Sequence, residues 1–170
     1  MADFDGRSII DVLVQHEVTF VLIGGFAAAT YGSPFPTNDV DIVPKNDPEN
    51  LSRLSAALTE MDAKVRAAGV EPVPFSHDAE SLAAARIWNL TTKFGDFDIT
   101  FVPAGTQGYE DLKRDATALS LGGNKVFVAS LADIVRSKAA AGRDKDRRVL
   151  PVLRELLARE KRPRKKPTKR

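Results

Sequence analysis

The sequence lacks two things that many proteins have: it contains no cysteine, and it has no unbroken apolar run long enough to cross a membrane. The first absence excludes disulfides, thiolate zinc sites, iron–sulfur clusters and cysteine nucleophiles, so any metal must bind to oxygen or imidazole ligands. The start MADFDGRSII is acidic, whereas a signal peptide begins with a basic segment. We therefore expect a soluble, cytoplasmic protein with no membrane partner.

The basic side chains are unevenly distributed along the 170 residues. Seven of the 25 lie in residues 161–170, which contain no acid, and the other 18 are outnumbered by 23 acidic side chains in residues 1–160. The composition predicts one globular domain over residues 1–160, followed by a basic, disordered tail over residues 161–170. Such a tail is as typical of a solvated chain end as of a segment that attracts RNA phosphates.

Hydrophobic periodicity predicts a protein of the α/β (α+β) class. Helices are predicted over residues 8–16, 26–32, 49–68, 109–114, 130–141 and 143–159, the last of them kinked or restarted at Pro151. Strands are predicted over residues 18–23, 38–43, 85–92, 95–102, 117–121 and 125–128, and residues 69–79 are predicted to form a loop.

Two glycines and two aspartates follow the first predicted strand. Gly24 and Gly25 stand at a strand-to-helix turn, where backbone N–H groups can approach an anion such as phosphate. Asp39 and Asp41 alternate with apolar residues, so their carboxylates lie on one side of the next strand. Two such carboxylates favour a cation between them, and Mg²⁺ combines a few carboxylates with substrate phosphates. The pattern predicts a nucleoside triphosphate site.

A site for two metal ions needs a third carboxylate. In the segment GDFDITF, Asp98 projects from the polar face of a predicted strand whose other face carries Phe97 and Ile99. Asp96 shares that face, but it lies nearer the turn, where an aspartate often caps backbone groups. Asp98 is therefore the predicted ligand and Asp96 its competitor.

The C-terminal helices direct opposite charges towards the interior. Lys138 falls on the same helical stripe as Ile134 and Val135, and Asp146 shares a face with later apolar residues. The two side chains either pair with each other or act separately, with Lys138 binding nucleotide phosphates and Arg143 assisting. Next to a predicted triphosphate site, the phosphate-binding interpretation is favoured.

Taken in order, these features resemble a known family. The Gly24-Gly25 turn, the Thr37-Asn-Asp39-Val-Asp41 segment, the later Asp98 and the segment ASLADIVRSKAAAGRDKD are similar to the minimal nucleotidyltransferases of the AbiEii toxin type, from type IV toxin–antitoxin systems. These belong to the polymerase-beta-like nucleotidyltransferase superfamily. The resemblance covers residues from about 18 to 150.

The resemblance implies a nucleotidyltransferase fold, in which a mixed sheet has helices mainly on one face and ends in a C-terminal helical segment. It implies transfer of a nucleoside monophosphate from a nucleoside triphosphate to a hydroxyl of RNA, above all a tRNA acceptor end, by a toxin with a cognate antitoxin protein. The implied catalytic residues are Asp39, Asp41, Asp98, Lys138 and Asp146; the implied nucleotide-binding residues are Gly24, Gly25, Thr37, Lys138 and Arg143; and the implied ligands of two Mg²⁺ ions are Asp39, Asp41 and Asp98.

Other interpretations use the same residues. A small-molecule or protein nucleotidyltransferase remains open, although a small-molecule acceptor is expected to need a pocket from an added domain. A non-catalytic binding module is expected to lack one of the three aspartates, and all three are present. His16 and His77 have no neighbours at metal-ligand spacing, and Trp88 is expected to be a packing residue.

Overall fold

The computed structural model describes residues 3–162 of the chain, which form seven helices and eight strands. The helices are α1 (Gly6–Gln15), α2 (Gly24–Thr30), α3 (Pro48–Glu60), α4 (Ala79–Ala83), α5 (Tyr109–Arg114), α6 (Leu131–Ala141) and α7 (Asp144–Glu160). The strands are β1 (Phe20–Ile23), β2 (Asp39–Pro44), β3 (Lys64–Ala67), β4 (Val70–Pro74), β5 (Ile87–Thr92), β6 (Gly95–Thr100), β7 (Thr117–Leu121) and β8 (Asn124–Val128).

All eight strands belong to one mixed sheet, in the order β4-β3-β5-β6-β2-β1-β8-β7. The pairs β2–β6 and β1–β8 are parallel, and the other neighbouring strands are antiparallel. Strand β2 is central, with β1 on one side and β6 on the other. The α/β class and the mixed sheet predicted from the sequence are confirmed.

The central strands separate a buried face from a polar face. On β2 and β6, Val40, Ile42, Phe97 and Ile99 are fully buried, and α1 and α3 supply further core residues against this side. The aspartates that alternate with them are only partly buried. Because side chains alternate across a strand, all of these aspartates lie on the opposite face of the sheet.

Local signals define the ends of several helices. The side chains of Asp5, Asp47 and Ser130 accept hydrogen bonds from the first turns of α1, α3 and α6, as expected for N-cap residues. Pro48 lies in the first turn of α3, where its missing N–H has no cost. Gly142, with φ of 62°, ends α6 in the left-handed conformation.

The prediction of a helix up to residue 68 is wrong. Helix α3 ends at Glu60, and Asp62 adopts a left-handed φ of 52°. The chain then turns into β3, because residues beyond the turn hydrogen-bond to β5 rather than to their own helix. Helical periodicity alone does not reveal such a tertiary competitor.

The loop predicted over residues 69–79 contains strand β4 and ends at the first residue of helix α4, which was not predicted. Strand β4 was missed because its five residues are all exposed and include two prolines. Prolines are tolerated there because β4 is an edge strand, paired on one side only. Helix α4 begins after Asp78, whose side chain and backbone form a reciprocal capping box with Ser81.

Two further helix boundaries differ from the predictions. Helix α2 begins at Gly24, two residues earlier than predicted, so the glycine pair is part of its first turn. Helix α7 continues through Pro151 and is not restarted there.

The predicted basic tail falls mostly outside the described part of the chain, which ends at residue 162. Within residues 3–162, no helix is both long and apolar enough to span a bilayer.

Candidate functional site

Three carboxylates converge on the polar face of the sheet. Asp39 and Asp41 are on β2 and Asp98 is on β6, and one oxygen of each lies within 4.8 Å of the others. Their proximity follows from strand pairing, since Asp41 is the direct partner of Asp98 in the parallel β2–β6 pair. We call Asp39, Asp41 and Asp98 the carboxylate trio.

Gly24 permits the close approach of Asp41. Its φ is 76°, and a Cβ atom at this position would lie 2.8 Å from Cγ of Asp41 and closer still to a carboxylate oxygen. The turn from β1 into α2 therefore has room for the Asp41 side chain only because residue 24 has none. Gly25 is less constrained, since its Cβ would lie 3.2 Å from Oγ1 of Thr37.

Thr37 lies beside the trio on the loop before β2. Its hydroxyl donates to the backbone carbonyl of Asp39 at 3.2 Å and approaches a carboxylate oxygen of Asp39 at 3.4 Å. Thr37 therefore orients the first aspartate of the trio, besides facing the same cleft.

The electrostatics of the trio favour a bound cation. Burial, followed by the charges of Asp39 and Asp98, raises the pKa of Asp41 to about 7, although Lys138 and Lys145 act in the opposite direction. Burial also raises the pKa of Asp98, with a partial offset from Arg66. Both shifts express the cost of placing several carboxylate charges together out of water. A divalent cation would remove that cost, and three clustered carboxylate oxygens are the hard donors that Mg²⁺ prefers.

Arg66 on β3 is a site residue that the sequence analysis missed. Its guanidinium donates to Oδ1 of Asp98 at 2.6 Å and to Oδ2 of Asp96 at 3.0 Å. The residue lies in the segment predicted to be helical, and a helical register does not place its side chain on a sheet face. A strand interpretation of residues 64–67 would have placed Lys64 and Arg66 on one face, but the partner strand is set only by the fold.

Asp96, the competitor of Asp98, is not a member of the carboxylate trio. It lies one pair along the same sheet face, opposite Asp39 in the β2–β6 register. Its carboxylate pairs with Arg66 rather than with the backbone groups of the neighbouring turn.

Lys138 and Asp146 form an ion pair, which was one of the two arrangements considered from the sequence. Asp146 is fully buried, and its carboxylate lies 3.5 Å from Nζ of Lys138. Arg143 donates to both of its oxygens, at 2.7 and 3.2 Å. Burial alone would raise the pKa of Asp146, but Arg143 and Lys138 together hold it below its usual range. Asp146 is thus bound by two cations and does not join the carboxylate trio.

A cleft of about 730 Å³ is lined by all of these groups except Arg66. Its lining includes the first turn of α2 and three cationic side chains, Lys138, Arg143 and Lys145, which we call the cationic flank; α6, which carries Lys138, contacts α2. Lys145 was not singled out in the sequence, although it lies in the same basic segment. The β5–β6 surface contributes Ile87, Asn89 and Thr100, together with Asp96 and Asp98. The cleft thus combines the carboxylate trio with cationic side chains and with the uncharged side chains Ile87 and Asn89 of β5.

The residues considered and set aside in the sequence have local roles. His16 pairs with Glu60, and His77 hydrogen-bonds to Ser55. Trp88 stacks on Phe75 at a centroid distance of 5.4 Å and donates to the carbonyl of Leu82. None of these three residues lines the cleft.

Comparison with known proteins identifies the fold. No protein-family model matches the sequence, and the comparison with curated proteins found no match. Among solved structures, a candidate nucleotidyltransferase from Thermotoga maritima shares 22% identity with a TM-score of 0.52, covering 90% of each chain. The lincosamide antibiotic adenylyltransferase LnuA, with lincomycin bound, shares 14% identity with a TM-score of 0.61, covering 92% of this chain and 99% of that one.

A third structure, ANT(2″)-Ia in complex with adenylyl-2″-tobramycin, shares 14% identity with a TM-score of 0.56, covering 90% of this chain and 87% of that one. Identities this low establish shared architecture rather than shared activity. The chain has the nucleotidyltransferase fold, as predicted, and its cleft contains three converging carboxylates.

Proposed function

We propose that the protein is a metal-dependent nucleotidyltransferase that moves a nucleoside monophosphate from a nucleoside triphosphate to an acceptor hydroxyl. The observation that carries the proposal is the convergence of three carboxylate oxygens within 4.8 Å, in the cleft of this fold. Without a cation, three crowded carboxylates destabilise the folded state, because each one raises the free energy of ionising the others. A metal-binding role explains why the crowding is tolerated.

The residues present fit a divalent cation, which Asp39, Asp41 and Asp98 would hold. When bound, Mg²⁺ would neutralise phosphate charge and acidify the acceptor hydroxyl. Two ions are expected for this chemistry, as the resemblance to minimal nucleotidyltransferases implies.

The cationic flank is assigned to the triphosphate. Lys138, Arg143 and Lys145 line the same cleft as Gly24 and Gly25, and α6, which carries Lys138, contacts α2. Asp146 forms ion pairs with both Lys138 and Arg143, so it fixes the positions of these cations. Its assigned role is positioning, because its carboxylate is fully buried and bound by two side chains.

The reaction balances as a single displacement. The acceptor oxygen attacks the α-phosphorus, the bond from that phosphorus to the β-phosphate bridging oxygen breaks, and pyrophosphate leaves. We assign the acceptor proton to Asp98, as the resemblance to minimal nucleotidyltransferases implies; its Oδ1 accepts from Arg66, and no described residue donates to its Oδ2. The second oxygen of Asp98 is the one available to a hydroxyl.

Two acceptor classes follow from different observations. The resemblance to AbiEii-type toxins favours RNA, with a tRNA acceptor end as target and an antitoxin as partner. The structural similarity to LnuA favours a small hydroxylated molecule, because that chain binds lincomycin and this one covers 99% of it. The expectation that a small-molecule acceptor needs an added domain is therefore weakened. The β5 residues that line the cleft, Ile87 and Asn89, provide no positive charge, so this part of the cleft is also more suited to a small molecule than to a phosphate backbone.

Transfer of label from each of the four α-³²P-labelled nucleoside triphosphates tests the proposal. The acceptors are total tRNA, cell lysate and a panel of hydroxylated small molecules, each with Mg²⁺ and with EDTA. We expect Mg²⁺-dependent label on one acceptor class and a loss of at least 100-fold in Asp41→Asn.

Asp62→Asn is the matched control, since Asp62 is an exposed aspartate with a left-handed φ that asparagine also adopts. It should transfer at the wild-type rate. Full activity of folded Asp41→Asn would refute the proposal. Label on tRNA, together with growth arrest on expression, would select the toxin interpretation over the small-molecule one.

A further inference from the structure

Arg66 is the cation in closest contact with the acidic face of the sheet. Four aspartates line this face, on two adjacent strands in direct register: Asp39, Asp41, Asp96 and Asp98. Within residues 3–162, Arg66 is the one side chain that forms an ion pair with any of them, and it bridges two. Lys138 and Lys145 influence Asp41 only through longer-range charge.

The bridge occupies part of the carboxylate trio itself. The contact with Asp98 is 2.6 Å, and the Asp98 side chain is only 14% exposed. Hydrogen bonds between a guanidinium and a carboxylate are strongest when both groups are partly shielded from water. One oxygen of Asp98 is therefore committed to Arg66, whereas no side chain forms an ion pair with Asp39 or Asp41 in the described part of the chain.

Because of this arrangement, a cation binds more easily next to Asp39 and Asp41 than next to Asp98. Asp39 and Asp41 provide a cation position with no internal competitor. A position that used Asp98 fully would bring a divalent ion close to the Arg66 guanidinium, and like charges repel strongly in a shielded site.

We propose that Arg66 is an internal counter-ion of Asp98 that limits the resting site to one divalent cation, so that a second cation binds only in exchange for the Arg66–Asp98 pair. This inference rests on the proposed function, because it concerns the same metal site. The Arg66 side chain is 32% exposed, so it has a route towards solvent when it is displaced.

A simpler role for Arg66 would be to tie β3 to β6. These strands are not adjacent, since β5 lies between them, and the side chain reaches across β5 to the aspartates. If Arg66 only links the two strands, its substitution would change the free energy of unfolding but not the number of cations that the protein binds. Cation stoichiometry therefore separates the two roles.

The test is a titration of the full chain with Mn²⁺ in the absence of nucleotide, with free Mn²⁺ measured by electron paramagnetic resonance. Wild type should bind one ion tightly, and Arg66→Gln should bind two, its second at least ten-fold tighter than any second ion of wild type. Arg66→Lys keeps the charge but cannot bridge two carboxylates, so its second ion should be intermediate.

Lys64→Gln is the matched control. Lys64 is two residues earlier on the same strand, and it forms an ion pair with Asp62 rather than with a member of the trio. It should retain one ion. Asp41→Ala should lose the wild-type ion, which assigns that ion to the trio.

Each result decides the proposal. Two tight ions in wild type, or one in Arg66→Gln, would overturn it while leaving the transferase proposal intact if label transfer persists. No Mn²⁺ bound to wild type would overturn both. If Arg66→Gln does not fold, as judged by near-ultraviolet circular dichroism of Trp88, Arg66→Lys decides: an unchanged second-ion affinity contradicts the proposal.

Discussion

Asp41 lies where burial and two neighbouring carboxylates all oppose its ionisation. These effects raise its pKa to about 7 in the folded protein, from an ordinary value of 3.8. Between those two values the folded state binds more protons at this group than the unfolded state does. The free energy of unfolding of the metal-free protein therefore falls as pH rises from about 4 to about 7, as far as Asp41 contributes.

Asp41→Asn should remove this pH-dependent loss. At about pH 3.5 the variant and wild type should be similar, because Asp41 is then largely neutral in both the folded and the unfolded wild-type chain, as asparagine is at any pH. At pH 8, in EDTA, the variant should be more stable by about 2 kcal/mol, after allowance for partial solvent screening. Urea denaturation at both pH values measures this, with Asp62→Asn as control. Lower stability of Asp41→Asn at pH 8 would contradict the assignment.

Residue 24 requires glycine for two reasons: its positive φ, and the contact that any Cβ atom would make with the Asp41 carboxylate. Gly24→Ala should destabilise the protein by about 3 kcal/mol, because its Cβ would enter the space of the Asp41 carboxylate. Gly69→Ala is a matched control, since Gly69 has a similar φ of 72° but no atom within 4 Å of its Cβ position. That variant should lose only about 1 kcal/mol from backbone strain.

The difference between the two glycine variants isolates the steric effect. Thermal and urea unfolding of both measure it, and Mn²⁺ binding should weaken in Gly24→Ala alone. Equal destabilisation by the two substitutions would show that Asp41 does not require the open space at residue 24.

At the scale of elements, the α6–α7 corner is held by one buried carboxylate. Asp146 lies in the first turn of α7 and joins that helix to Lys138 of α6 and to Arg143 between them. Because Arg143 and Lys138 lower the pKa of Asp146, its stabilising contribution is present above the unfolded pKa and is lost as pH falls through the folded one. The corner carries the cations assigned to the triphosphate, so its rigidity bears on nucleotide binding.

Asp146→Asn should lower the free energy of unfolding at pH 7 by about 2–3 kcal/mol, because a fully buried anion with two cationic partners is neutralised. Asp144→Asn, in the same helical turn but with its side chain 88% exposed, should lose less than about 0.5 kcal/mol. Urea denaturation of both variants measures the contrast. Equal losses would show that the Asp146 ion pairs contribute little.

At the scale of the whole molecule, the sheet order determines the site. Strand β2 lies between β1, which ends at the Gly24 turn, and β6, which carries Asp98. The carboxylates thus come from two strands separated by more than fifty residues in sequence. Cation binding at the trio should therefore stabilise the fold as a whole, because the site exists only in the folded state.

Mg²⁺ at about 100 times its dissociation constant should raise the free energy of unfolding by about 2.7 kcal/mol. For a domain of this size the midpoint of thermal unfolding should rise by about 5 °C or more. Scanning calorimetry with MgCl₂, against NaCl of equal ionic strength, measures the shift. Asp41→Asn should show a much smaller response, and an equal response in both proteins would place the ion elsewhere.

Most elements follow from local patterns. The alternation in Asp39–Ile42 and Asp96–Ile99 already places the aspartates opposite the apolar residues, because side-chain direction in a strand is set by covalent geometry. The glycine turn and the caps at Asp47 and Ser130 are local in the same sense. The segment from Met61 to Pro74 was misjudged because its strands depend on pairing with β5, which no local pattern encodes.

The sequence by itself determined which residues face away from the core, and hence that Asp39, Asp41 and Asp98 were available for a shared site. Only the tertiary structure decided their neighbours. It placed Asp98 opposite Asp41, brought Arg66 across β5, and paired Lys138 with Asp146. The physical reason is that side-chain direction is a property of a few consecutive residues, whereas electrostatic environment depends on which distant segments the packed sheet brings within a few ångströms.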